Sequence, residues 1–128
     1  MTTAAQLRSR YARESVTTAS PARLVTMLYD RLVRDLDDAE LAISLADHPA
    51  AHRLLRHAQD IVQELSSSLD VSRWEGGEGL QRLYTWLLER LVAANVAKDA
   101  VIVAECREVV EPLRDAWHEA ANQQPVAS

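Results

Sequence analysis

The chain has 128 residues and a net charge of −5, with 48% hydrophobic residues, three Gly, four Pro, no Phe and one Cys. That length suits one domain with its own core, and the composition favours long helices around an aliphatic centre. Cys106 has no partner for an intrachain disulfide, which fits a reducing compartment, and the charge lacks the basic excess of a nucleic-acid binder.

Residues 1–19 read as a flexible N-terminal arm. Arg8, Arg10 and Arg13 stand there without an acid before Glu14, so the residues after 13 carry −8 of the total −5. No apolar run follows these arginines, so neither a signal peptide nor a membrane span is expected, and the chain reads as soluble and cytoplasmic. Leu7 and Tyr11 stand four apart, a single helical turn that needs a partner surface to hold it.

A first helix is expected over residues 20–46. Ser20 is its cap and Pro21 fills the first position, where the missing N–H costs nothing. At roughly 100° per residue, Val25, Leu28, Leu32, Leu36, Ala39 and Ile43 form its inner face. Asp47-His48-Pro49 should stop it, because Pro disfavours a helical residue before it. The second helix spans residues 50–69, with Leu54, Ala58, Ile61, Leu65 and Leu69 inward and Leu55 and Val62 widening that face. Residues 70–79 hold all three Gly and read as a connector whose one large apolar group is Trp74.

Leu80, Tyr84, Leu87, Leu88 and Leu91 give a third helix over residues 80–97. The fourth begins near Asp99 and carries Ile102, Cys106, Val109, Leu113, Ala116 and Ala120. A second stripe, Val103, Val110 and Trp117, follows it at heptad spacing, and Pro112 should kink the helix. Residues 125–128 form a frayed tail. The pattern therefore predicts an all-α fold: an antiparallel up-down four-helix bundle over residues 20–124 behind a short arm.

Chemistry finds little purchase in this pattern. No Glu-x-x-His occurs, and His48, His52 and His57 have no metal-site spacing, so they read as surface histidines. A histidine phosphotransfer bundle shares the architecture, but no Gly follows His52 or His57 to admit a phosphate, and Asp60 would repel one. Cys106 sits on an apolar face as a small hydrophobe, and Gly76-Gly77-Glu78-Gly79 lacks the Lys of a P-loop. No catalysis, cofactor or metal is expected. An apolar surplus remains instead. Trp86 lies roughly 150° from the inward direction of its helix, Leu83 bridges core and exterior, and Met27 and Leu45 lie roughly 140° off the core line. Broad faces are normal in bundles, yet Trp86 and Met27 are hard to absorb that way, so a partner surface and a generic bundle both stay open.

Tyr11 through Asp30 reads Tyr-x4-Val-x-Thr-Ala-Ser-Pro-x2-Leu-x2-Met-Leu-Tyr-Asp and resembles the N-terminal signature of the FliS family, the flagellar secretion chaperones. Leu83-Tyr84-x-Trp86, Arg90-Leu91-Val92-x-Ala94-Asn95-x2-Lys98-Asp99-Ala100 and Leu113-Arg114-Asp115-Ala116-Trp117 resemble its third and fourth helices in order. Arg31 stands where that family usually has Gly, Trp86 where it has Tyr, and Pro112 where it has an apolar helix former. The resemblance implies a cytoplasmic chaperone that binds the disordered C-terminal segment of flagellin, prevents premature polymerisation and delivers it to the export gate protein FlhA. It implies that the arm covers part of the flagellin groove. Tyr11, Val16, Leu24 and Met27 match the motif and are carried over to arm and groove. Leu7 joins them as an arm residue, and Leu83 and Trp86 join them on the angular argument. The alternative is a generic helical interaction module or a phosphotransfer domain.

Overall fold

The computed structural model describes residues 21–73 and 75–123. The arm with Leu7, Tyr11 and Val16, the Ser20 cap, Trp74 and the 125–128 tail lie outside the described residues. Among the described residues four helices follow one another: α1 (Pro21–Ser44), α2 (His48–Ser68), α3 (Gly77–Ala97) and α4 (Ala100–Gln123), with one 3-10 turn, Val71–Arg73, before α3. α1 packs between α2 and α4, and α3 packs against the same two, so the helices form an antiparallel ring.

The first connection corrects the expected boundaries. Ala46 takes a left-handed conformation (φ 56°), and its N–H bonds to the Ile43 carbonyl while that of Asp47 bonds to Ala42. This paired closure ends α1. The Asp47 carboxylate then accepts from the Ala50 N–H at 3.2 Å and caps α2, so Pro49 lies inside the first turn and His48 is helical. One residue thus closes a helix and opens the next, which is why the turn is so short. Lys98 repeats the left-handed stop at the end of α3 (φ 51°).

α3 starts three residues before the expected position. Gly77 lies against the 3-10 turn so closely that a Cβ would stand 2.8 Å from the Val71 carbonyl oxygen. Glycine is required there by backbone contact, and the helix begins at that contact.

The core is aliphatic around two tyrosines: Tyr29, Leu32, Leu36, Leu55, Val62, Leu87, Leu91, Val103 and Val110 are fully buried. Two faces are rotated from expectation. On α1, Tyr29 and Val33 are buried while Val25, Leu28 and Ile43 are half-buried. On α4, Val103, Cys106 and Val110 lie innermost, and Ala116 and Ala120 are exposed. A helix touching two neighbours buries the arc between them, and on α4 that arc follows the heptad stripe. α4 continues through Pro112, which removes the N–H that would bond the Glu108 carbonyl, and both residues are exposed.

Candidate surface for a partner chain

The four seams between helices differ in what crosses them. Between α1 and α4, Arg107 donates to Glu40 at 3.1 and 3.3 Å and to Glu111 at 3.1 Å, with Asp37 at 3.3 Å. Glu40 and then Glu111 raise the guanidinium's pKa above its ordinary value. His118 meets Asp30 at 2.7 Å on the same side. Between α1 and α2, His57 Nδ1 and the Asp35 carboxylate are 2.5 Å apart. Burial raises the Asp35 pKa, and His57 and Arg31 only partly oppose that. Between α3 and α4, Arg90 donates to Glu105 at 2.8 Å. Between α2 and α3 the links are amide and imidazole: Gln81 to Ser66 at 2.6 Å, and Asn95 Nδ2 to His52 Nδ1 at 3.0 Å. Lys98 donates to the Asn95 amide oxygen at 2.8 Å and so fixes which end of that amide faces His52.

His52, His57 and His118 therefore are not free surface histidines. Each joins two helices, and a phosphoryl group on His57 would sit beside Asp35. Among the described residues no group of three or more His, Cys, Asp or Glu is placed to hold a metal. Cys106 is fully buried and its thiol is pushed up to about 11, chiefly by desolvation, which leaves it a poor nucleophile. No described helix is long and apolar enough to cross a membrane.

The predicted partner residues divide between two opposite sides. Leu24 is half-buried on the α2 side of α1, within about 20° of Asp35, and Met27, 49% exposed, points outward from α1 between the directions of Asp30 and Asp35. Trp86 is 36% exposed and Leu83 half-buried against the core, both on the α4 side of α3 next to Arg90. In the antiparallel register set by Arg90 and Glu105, Trp86 comes level with Val109 and Leu83 with Pro112 and Leu113. In a ring of four, the α1–α2 and α3–α4 seams face away from each other. No single groove holds all four residues.

Below these surfaces, Tyr29 and Tyr84 share a buried hydroxyl–hydroxyl bond of 2.7 Å that crosses the bundle from α1 to α3. The Trp117 ring lies 6.4 Å from that of Tyr29. Burial raises the pKa of both phenols. A cavity of about 200 Å³ opens beside them at the end where α1 begins, under Val25, Leu65, Leu80 and Trp117. Sequence periodicity placed Tyr84 inside but did not pair it with Tyr29. It also passed over Val92 and Val96, both well exposed on the outer side of α3. Their i, i+4 spacing on a non-core stripe was the available signal.

A family model described as "Flagellar protein FliS" matches residues 3–124. Three similar proteins are each named a flagellar secretion chaperone FliS. That of Bacillus subtilis is 34% identical over 110 residues, 86% of this chain and 82% of the relative. The Salmonella typhimurium protein is 32% identical over 107 residues (80% and 78% of the two chains), and the Campylobacter jejuni protein 30% over 120 (91% and 92%). With a four-helix bundle, an unbroken match from residue 3 to 124 and similarity along nearly full lengths, this chain belongs to the FliS family.

Proposed function

We propose that the chain is a cytoplasmic export chaperone that binds the disordered C-terminal segment of flagellin, keeps it from polymerising and delivers it to the export gate protein FlhA. Large apolar side chains left exposed on two opposite sides of a well-packed bundle carry this reading: Met27 on one, Trp86 on the other. Leu24 and Leu83 extend those two surfaces inward, and Leu7, Tyr11 and Val16 of the arm are assigned to the same site as its cover. Ordering a disordered segment costs on the order of 2–5 kcal/mol. Burial of 1,000–3,000 Å² is typical of such coupled folding, and at roughly 25 cal/mol per Å² of its apolar part it offsets that cost several-fold. Exposed apolar surface on more than one face suits a ligand that folds around its partner.

The test is titration of the purified chain with a synthetic flagellin C-terminal peptide, followed by circular dichroism and calorimetry. Induced peptide helix saturating at one peptide per chain is expected. Absence of heat and of induced helix at micromolar concentration refutes the reading.

A further inference from the structure

Helix α1 carries a second stripe on its outer side. At roughly 100° per residue, Met27, Arg31, Arg34, Asp38, Leu41 and Leu45 fall within about 40° of the direction opposite the buried Leu36, and all six are exposed. Leu45 stands one residue past α1, but its N–H bonds to the Leu41 carbonyl at 3.0 Å and so continues the same spiral. The six positions alternate steps of four and three residues. That is the spacing of a seam between two paired helices, here on a face turned away from the core.

The order of residue types along the stripe gives it a partner. Met27 stands at one end, and Leu41 (58% exposed) and Leu45 (70% exposed) at the other. Between them lie two cations, Arg31 and Arg34, and one anion, Asp38. Neither Arg34 nor Asp38 has an ion pair among the described residues. Laid antiparallel on a copy of itself and centred level with Leu36, the stripe matches along its length. Arg34 lies opposite the partner's Asp38, Arg31 opposite the partner's Leu41, and Met27 opposite the partner's Leu45. A two-fold axis makes each of these contacts twice. The Arg31 stem can cover leucine while its charged head stays in water. Parallel pairing would set Arg34 on Arg34 and Asp38 on Asp38, so charge selects the antiparallel arrangement. The outer face of α4, by contrast, carries Glu108, Asp115 and Glu119, which repel a copy of themselves.

We propose that the outer face of α1 is a self-association surface, on which a second copy of the chain docks through an antiparallel α1–α1 pair. The seam runs over roughly 27 Å of helix. Six positions a side fall well short of the 20–30 residues of a standard interface, so the dimer is weak, with a Kd on the order of tens of micromolar. The dimer does not depend on the function proposed above. One consequence does: Met27 belongs to both surfaces, so on that reading the second copy and the secreted partner exclude each other there.

Sedimentation velocity of the full chain over about 10 to 300 µM tests it, with a shift from monomer to dimer expected across that range. Asp38→Arg and Arg34→Asp should each weaken the dimer at least about tenfold, because like charges then meet across the axis. The chain carrying both substitutions should dimerise like the parent, since the crossed pairs are restored in reverse. Val92→Glu, on the exposed outer side of α3, should also dimerise like the parent. All these positions are exposed, so melting temperatures should stay close to the parent's. A parent that stays monomeric throughout overturns the proposal. So does a dimer that survives both single substitutions, or a double variant that stays monomeric. Added flagellin C-terminal peptide should convert the dimer to monomers each holding one peptide. A peptide that binds without dissociating the dimer overturns the exclusion, whereas a parent that dimerises and binds no peptide supports the dimer and refutes the function.

Discussion

Truncation of Trp86 separates folding from binding quantitatively. A Trp side chain carries roughly 250 Å² of surface at most. With 36% exposed, about 160 Å² is covered by the bundle and about 90 Å² remains for a partner. At roughly 25 cal/mol per Å² the covered part is worth up to about 4 kcal/mol. The unfolded chain already hides some of that area and alanine keeps a share, so Trp86→Ala should cost about 2–3 kcal/mol of stability. The exposed part is worth about 2 kcal/mol to the complex, roughly a thirtyfold rise in Kd. Met27 is 49% exposed on the opposite side, and Met27→Ala should cost about 1 kcal/mol of stability and several-fold in affinity. Urea denaturation gives the first quantity. Calorimetry with the flagellin peptide, run well below the melting temperature of the weaker variant, gives the second. The two affinity losses should add, because the residues lie on different faces. Stability losses of the expected size with peptide affinity unchanged in both variants would refute the placement of the partner on these faces.

Three other outcomes probe the interior. Gly77→Ala should destabilise the chain by about 1–3 kcal/mol in chemical denaturation, because its Cβ would meet backbone rather than a yielding side chain; a neutral result would mean that the Val71 turn shifts freely. Cys106 should resist alkylation by iodoacetamide at pH 8 while folded and react on addition of urea, its thiol being buried and pushed up to about 11; rapid labelling of the native chain would mean that α4 opens locally. Asp35 holds its proton more tightly in the folded state than at its ordinary value of 3.8. Its contribution to stability is therefore most favourable below that value and falls as pH rises through the raised one, so Asp35→Asn should flatten this part of a denaturation series between pH 3.5 and 6. A parent and variant with parallel profiles would contradict this.

The fold was legible because four long stripes repeat at the helical period, and short connections leave antiparallel neighbours as the economical arrangement. Boundaries were less so. Asp47 serves as stop and cap at once, and Ala46 and Lys98 take left-handed conformations that composition does not announce, since neither is Gly or Asn. The α4 face was read through Ile102 and Val109 when the heptad stripe Val103–Val110 lies innermost. A wheel shows which residues are apolar but not where its two neighbours will stand. The same limit hid the partners of His52, His57 and His118, which come from other helices 43, 22 and 88 residues away in sequence. Exposure of Met27 and Trp86 was readable because both fall far from any core line, whereas their placement on opposite sides depends on the ring order of the helices.

That opposition constrains the length of any partner that touches both. Neighbouring helices pack 8–10 Å apart and each is 10–12 Å wide, so a four-helix bundle is roughly 20 Å across. A chain passing from the α1–α2 side to the α3–α4 side over the α2–α3 seam covers about 40 Å, which takes at least about 12 extended residues. Where it is helical the rise falls to 1.5 Å per residue, so each helical turn along the way adds residues to that path. With a contact turn at each end, the minimum is about 25–30 residues. A C-terminal flagellin peptide of about 15 residues should therefore respond to Trp86→Ala or to Met27→Ala but not to both, while one of about 40 residues should respond to each. Linking two contacts through one chain raises affinity by effective concentration, so the long peptide should bind at least tenfold more tightly than either half. If a 15-residue peptide is sensitive to both substitutions, the two residues act on one surface and the helices do not hold the ring order described. If the long peptide binds no better than its halves, the partner occupies one face, and the exposed residues on the other serve a different contact.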